Sequence, residues 1–185
     1  FRPFEMVRID VGYQNLPVVI VGMSAGTIYS NLGGTHITQD DVSIVRSLPN
    51  FTVLSPCDPL ELEECVKYLC TKNKSPCYLR IGKTGEKNFS NKRSEKWVFN
   101  KPRVILKGDN KICLIGTGPI IRLFFNIYEK LKLKKIFPTI ISFHTLKPVN
   151  KKEIHKIFRK YKKIITLEDM SEINGLSSII KSEAY

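Results

Sequence analysis

Short β-branched runs alternate with capped, amphipathic stretches on both sides of one polar segment, and that rhythm restricts the chain to α/β architecture. Before the break, Pro17-Val-Val-Ile-Val-Gly22 reads as a buried parallel strand bounded by Pro and Gly. Thr38, with Asp41 three residues on, predicts the start of a helix running through Val45. Phe51-Thr-Val-Leu54 is the next strand. Asp58-Pro59-Leu60-Glu61 is a helix start with an acidic N-cap, Pro at the first helical position and Glu at the third. Leu62, Cys65, Val66 and Leu69 follow it as one apolar stripe. Cys77–Ile81 closes the unit as a strand. Gly82 to about Pro102 is rich in Lys, Asn and Ser, nearly aperiodic, and reads as a surface linker. The rhythm then restarts: strands Val104–Leu106 and Lys111–Ile115, helix Pro119–Leu131, strand Thr139–Phe143, helix Lys151–Tyr161, strand Lys163–Leu167 and helix Gly175–Ala184. Two mostly parallel sheets with helices on both faces are expected, the second on residues 102–185.

A chain of 185 residues is long enough to bury a sizeable core. No apolar run is long enough to span a bilayer, so no membrane is expected as a partner. Five cysteines without a Cys-x-x-Cys pair argue against a zinc site and a disulfide framework, and suit a reducing cytoplasm. The net charge of +13 raises a polyanion binder as one class of function. Its lysines are spread over Lys87–Lys111, Lys130–Lys135 and Lys151–Lys163, with Ile and Asn between them. That pattern describes solvated faces, and nucleic acid is not expected as a partner.

Two local motifs carry little. Gly116-Thr117-Gly118 lacks the third glycine and the downstream acid of a dinucleotide fingerprint. Gly108-Asp109-Asn110 separates two strands and reads as a turn. The histidine in Asn31-Leu32-Gly33-Gly34-Thr35-His36 is different, because a glycine-rich turn beside a strand aims an imidazole into a cleft. Imidazole can donate to or accept from a substrate hydroxyl.

That turn, together with Leu48-Pro49-Asn50 and Pro56-Cys57-Asp58, resembles the pyrimidine-binding half of thiamine diphosphate enzymes of the transketolase group. The upstream run Arg2–Asp10 and Tyr13–Val18 strengthens the likeness, and Leu146-Lys-Pro148 and Leu167-Glu168-Asp169 resemble stretches of the group's carboxy-terminal domain. The chain is most similar to the carboxy-terminal subunit of split bacterial transketolases. The resemblance implies a pyrimidine-binding domain over residues 1–85, with its N-terminal part missing, a linker over 86–101, and a transketolase carboxy-terminal domain over 102–185. Since Phe1 falls mid-domain in that pattern, a fragment or a split subunit is expected.

The resemblance also implies roles. His36 faces the reactive carbon of thiamine diphosphate and touches substrate hydroxyls. Lys83, with Arg80, holds a sugar phosphate, and Arg2 lies on the cofactor side. Leu32 stands where relatives carry an Asp that binds a donor hydroxyl, and Ser24 where they carry a phosphate-contacting histidine. The glutamate that protonates the pyrimidine ring would precede Phe1, and the diphosphate and magnesium motif is absent. Thiamine diphosphate and Mg2+ are therefore expected to be held mainly by an N-terminal transketolase subunit, with no metal ligand on this chain. Contacts between copies of this chain and sugar phosphate substrates are expected too. The implied activity is transfer of a two-carbon ketol unit. A 1-deoxyxylulose-5-phosphate synthase, a 2-oxo acid dehydrogenase β subunit and a non-catalytic assembly subunit are the alternatives.

Overall fold

The computed structural model describes residues 2–83, 85–91, 93–109 and 111–184. Two four-stranded sheets organise it. The first runs β1 (Val19–Gly22), β3 (Cys77–Arg80), β2 (Thr52–Leu54) and β7 (Thr145–Lys147) in spatial order. β1 and β2 are both parallel to β3, whereas β7 is antiparallel to β2. Parallel neighbours need long crossovers, supplied here by α2 (Asp41–Ser47) and α3 (Pro59–Thr71). The second sheet runs β4 (Arg103–Leu106), β6 (Thr139–Ser142), β5 (Ile112–Gly116) and β8 (Lys163–Leu167). Its β5, β6 and β8 are parallel, and β4 is an antiparallel edge. Helices α4 (Arg122–Leu133), α5 (Lys151–Lys160) and α6 (Leu176–Ser182) accompany it. The expected α/β class is thus the observed one, with an antiparallel strand added to each sheet.

Several elements differ from their expectation. The first strand is parallel but lies at an edge, with Val19 and Val21 exposed at 38% and 53%. Its continuous β-branched run looks like a two-sided burial that the fold supplies on one side only. α2 begins three residues after Thr38, because Thr38 is held in extended pairing with Gly26. Asp41 then turns its carboxylate to Tyr78 and Arg80 instead of closing a capping box. Val66 is exposed, and the buried face of α3 is Glu61, Cys65 and Leu69. A helical N-terminal segment, α1 (Arg2–Met6) followed by a wider π turn over Val7–Tyr13, has no counterpart in the periodicity.

Asp58 caps α3 as its position predicts: Oδ1 accepts the Glu61 N–H at 2.8 Å. Its Oδ2 accepts the N–H groups of Phe89 and Ser90, so one carboxylate pins both helix and connecting segment. That segment contains no helix or strand among its described residues, yet it is anchored: Phe99 stacks on Tyr68 at 4.2 Å. The two sheets share one apolar core, in which Phe51, Val53 and Tyr78 meet Ile115, Phe143, Leu146 and Leu176. Among the described residues no helix is long and apolar enough to cross a membrane.

Candidate functional site

Beyond β1 the chain reverses at Ser24, whose φ of +62° is the left-handed region, and its N–H donates to the Gly82 carbonyl. That bond joins the Ser24 turn to the loop after β3, which carries Lys83. Lys83 is exposed, and its ammonium lies 5.0 Å from the centre of the Tyr29 ring, a cation–π contact. Met23, Gly82 and Lys83 line a cleft of about 240 Å³, closed below by Pro56, Pro59 and Leu62. Tyr29 precedes a 3-10 turn over Ser30–Leu32, and its carbonyl accepts the Leu32 N–H. Backbone and ring contacts thus link Ser24, Lys83, Tyr29 and Leu32 in turn. Tyr29 is a residue that sequence reasoning misses, since nothing but its place ahead of the glycine turn marks it.

The next 3-10 turn, Gly34–His36, presents the histidine to solvent. Its N–H donates to the Gly33 carbonyl, and Thr35 Oγ1 lies 3.0 Å from Nδ1. Among the described residues, Nε2 has no hydrogen-bond partner. Gly33 needs to be glycine for its φ of +89°. Gly34 has no positive φ, and a Cβ there would meet nothing within 4 Å. The space beside the turn is open, and Leu32 on its rim is 54% exposed.

Arg80, expected to share a sugar phosphate with Lys83, is enclosed and ion-paired. Its side chain is 1% exposed, its Nε donates to Asp41 Oδ2 at 2.9 Å and its Nη1 to Asp169 Oδ1 at 2.8 Å. Burial opposes the charge, but Asp169 and Asp41 outweigh it and hold the guanidinium pKa above its usual value. The Tyr78 hydroxyl donates to the same Asp41 oxygen, and burial with that carboxylate pushes the phenol pKa up. The guanidinium is committed inside the protein. Arg2 opens α1, and its side chain lies outside the described residues. The structure thus joins Ser24, Lys83 and Leu32 through backbone and ring contacts. It buries Arg80 at the end of β3.

Four of the five cysteines are enclosed, and Cys70 is exposed. Cys57, Cys65, Cys77 and Cys113 are buried, and burial pushes the Cys77 and Cys113 thiols up to about 12. Among the described residues no three His, Cys, Asp or Glu side chains are grouped so as to hold a metal ion. Asn110, the last residue of the glycine-aspartate turn, lies outside the described residues; its neighbour Asp109 accepts the Lys111 N–H as a turn residue does.

Two mostly parallel mixed sheets with their helices mark an α/β protein of two joined halves. The model of the transketolase pyrimidine binding domain matches residues 2–85, and that of the transketolase C-terminal domain matches residues 103–184. The chain belongs to the transketolase family. It is 28% identical to a polypeptide of the apulose-4-phosphate transketolase of Phocaeicola vulgatus over 179 residues, 97% of this chain and 57% of that protein. It is 33% identical to the 1-deoxy-D-xylulose-5-phosphate synthase of Clostridium tetani, covering 97% of this chain but 28% of that one. A solved split-gene transketolase, in an inactive β4 tetramer, shares the fold with a TM-score of 0.84 at 24% identity, over 98% of this chain and 57% of that chain. The chain thus spans about half, or less, of the length of these relatives.

Proposed function

We propose that this chain acts as the pyrimidine-side, C-terminal subunit of a split transketolase, moving a two-carbon ketol unit between sugar phosphates. The observation that carries the reading is the His36 turn: an exposed imidazole whose Nε2 has no partner among the described residues, on a turn with open space beside Gly33 and Gly34. His36 orients donor hydroxyls and holds or passes a proton at Nε2. Lys83, steadied by Tyr29, holds the acceptor phosphate as a point charge. Leu32 leaves the donor side apolar, and Ser24 offers a small hydroxyl in place of a larger polar group. Arg2 contributes on the cofactor side.

We assign one face of thiamine diphosphate to the open side of the Gly34 turn, and its diphosphate and Mg2+ to a partner chain. A partner N-terminal subunit holds those groups. The cofactor, when bound, supplies the carbanion chemistry, and this chain orients substrate and handles protons. Partner docking also suits the exposed apolar side chains of Met6, Ile9, Tyr13, Val19, Val21 and Met23. The cytoplasm is the compartment proposed, and an assembly with two-fold symmetry the form.

The test is reconstitution with a polypeptide carrying a Gly-Asp-Gly motif and a downstream Asn, followed by ketol-transfer assays. His36→Ala is expected to keep its fold and to lose about 2–4 kcal/mol of transition-state stabilisation, read as a fall in kcat. A variant with the wild-type kcat would remove His36 from the site. Identities of 31% and 33% to 1-deoxy-D-xylulose-5-phosphate synthases favour a second reading within the family. Formation of that deoxypentulose phosphate, in place of ketol transfer, would select it.

A further inference from the structure

The residues that follow His36 are gripped from the far half of the chain. Gly26 and Thr38 exchange both backbone hydrogen bonds, at 2.9 and 3.1 Å. Above that pair sits Asp169, in the loop after β8: its Oδ2 lies 2.0 Å from where a Cβ on Gly26 would stand. Gly26, with φ of +76°, is therefore bare for two reasons, backbone conformation and the carboxylate against it. The other oxygen of Asp169 takes Nη1 of Arg80. The remaining sides of that guanidinium reach Asp41 through Nε and the Thr38 carbonyl through Nη2, at 3.4 Å. The same loop adds the Ser171 N–H, which donates to the Gln39 carbonyl at 2.7 Å. It continues with Ile173 and Asn174, whose carbonyls accept from Ser43 and Arg46, while the Asn174 amide donates to the Ser43 carbonyl.

Upstream, the loop is held by the Ser24 and Ala25 N–H groups on the Gly82 and Ile81 carbonyls and by Tyr29 against Lys83, while a Cβ on Gly33 or Gly34 would touch nothing. An exposed turn is only as precise as the anchors at its two ends.

We propose that Asp169 is a positioning residue: through Arg80 and the Gly26–Thr38 pair, the second sheet's loop 169–174 sets the turn that carries His36. The link to catalysis rests on the reading of His36 given above. The planar fork of Arg80 is used in three directions at once, which an ammonium cannot do. The contacts of this loop and of Arg80 converge on the stretch just after His36: the backbone of 38 and 39, and Asp41, Ser43 and Arg46 of α2.

The experiment is amide hydrogen exchange on the full chain, without partner or cofactor, for wild type and Asp169→Asn. Exchange at Gly26 and Thr38 is expected to rise at least tenfold, while Leu114 and Ile115 in β5 change less than threefold. Unchanged exchange at Gly26 and Thr38, or an equal rise in β5, would overturn the proposal. If Asp169→Asn does not fold, Arg80→Lys, which keeps the buried charge and loses the fork, is read by the same criteria. In the reconstituted enzyme, Asp169→Asn should lower kcat at least tenfold with KM for phosphorylated acceptors within twofold. Faster exchange with an unchanged kcat would also overturn it. A wild-type assembly without turnover would sink the function of His36 and leave the exchange result to decide the anchor.

Discussion

Arg80 and Lys83 stand three positions apart in Tyr78-Leu-Arg-Ile-Gly-Lys83 and meet opposite environments. β3 ends at Arg80, so that residue still belongs to the sheet, whereas Lys83 sits on the loop beyond it. The difference is invisible in residue type, since both are cations at a strand end. It comes from Asp41 and Asp169, which draw one inward, and from Tyr29, which steadies the other at the cleft. Lys83→Ala should raise KM for phosphorylated acceptors at least fivefold and leave unphosphorylated ones within twofold, because the contact is charge-assisted and remote from the reacting bond. Lys83→Arg should recover the loss. Steady-state kinetics on paired acceptors checks this, and equal effects on both kinds would take Lys83 out of the site.

At the level of elements, local chemistry is most legible where the partners are close in sequence. Asp58 and Glu61 lie within one helical turn, so the capping of α3 follows from four residues. The second duty of Asp58, accepting from Phe89 and Ser90, does not, because those donors are 31 and 32 positions away. Asp58→Ala should therefore destabilise by more than a cap alone, about 2–4 kcal/mol when the cap and the two stranded donors are combined. Asp58→Asn, whose amide has a single accepting oxygen, can serve the cap or the two segment donors but not both, and should recover only part of the loss. Urea unfolding of the three proteins measures it; a loss within about 1 kcal/mol for the alanine variant would mean the segment holds without Asp58. The start of α2 departs from its expected place for a related reason: Thr38 has cap chemistry, but its backbone is taken by Gly26.

Across the whole molecule, the two halves are stitched at His144. Its backbone carbonyl accepts the Ser55 N–H of the first half, and its ring reaches the Lys101 carbonyl in the connecting segment at 3.0 Å. A carbonyl can only accept, so Nε2 carries the proton and Nδ1 accepts from the Thr145 hydroxyl at 2.8 Å. Burial lowers the His144 pKa from its usual 6.5, against a smaller pull from Glu61. The folded protein thus resists a proton that the unfolded chain accepts. Its contribution is whole above about pH 6.5 and is lost as pH falls, by up to about 1.4 kcal/mol per pH unit until the folded pKa is reached. Urea midpoints at pH 7.5 and 5.5 should show the decline, and His144→Asn should flatten it. An unchanged slope in that variant would assign the effect to other groups.

The sequence by itself determined the class of fold, most strand and helix positions in both halves, the capped start of α3 and the glycine turn that bears His36. These follow from periodicity, cap chemistry and φ preference, all of which act within about ten residues. Only the tertiary structure decided that Val19 and Val21 lie at an open edge. It alone placed Thr145–Lys147, from the second half, in the first half's sheet. It also brought Asp169 to Arg80 across 89 positions of chain. An apolar run states that a strand has surface to bury, but not what covers it. A charged residue states what it can pair with, and packing alone chooses the partner.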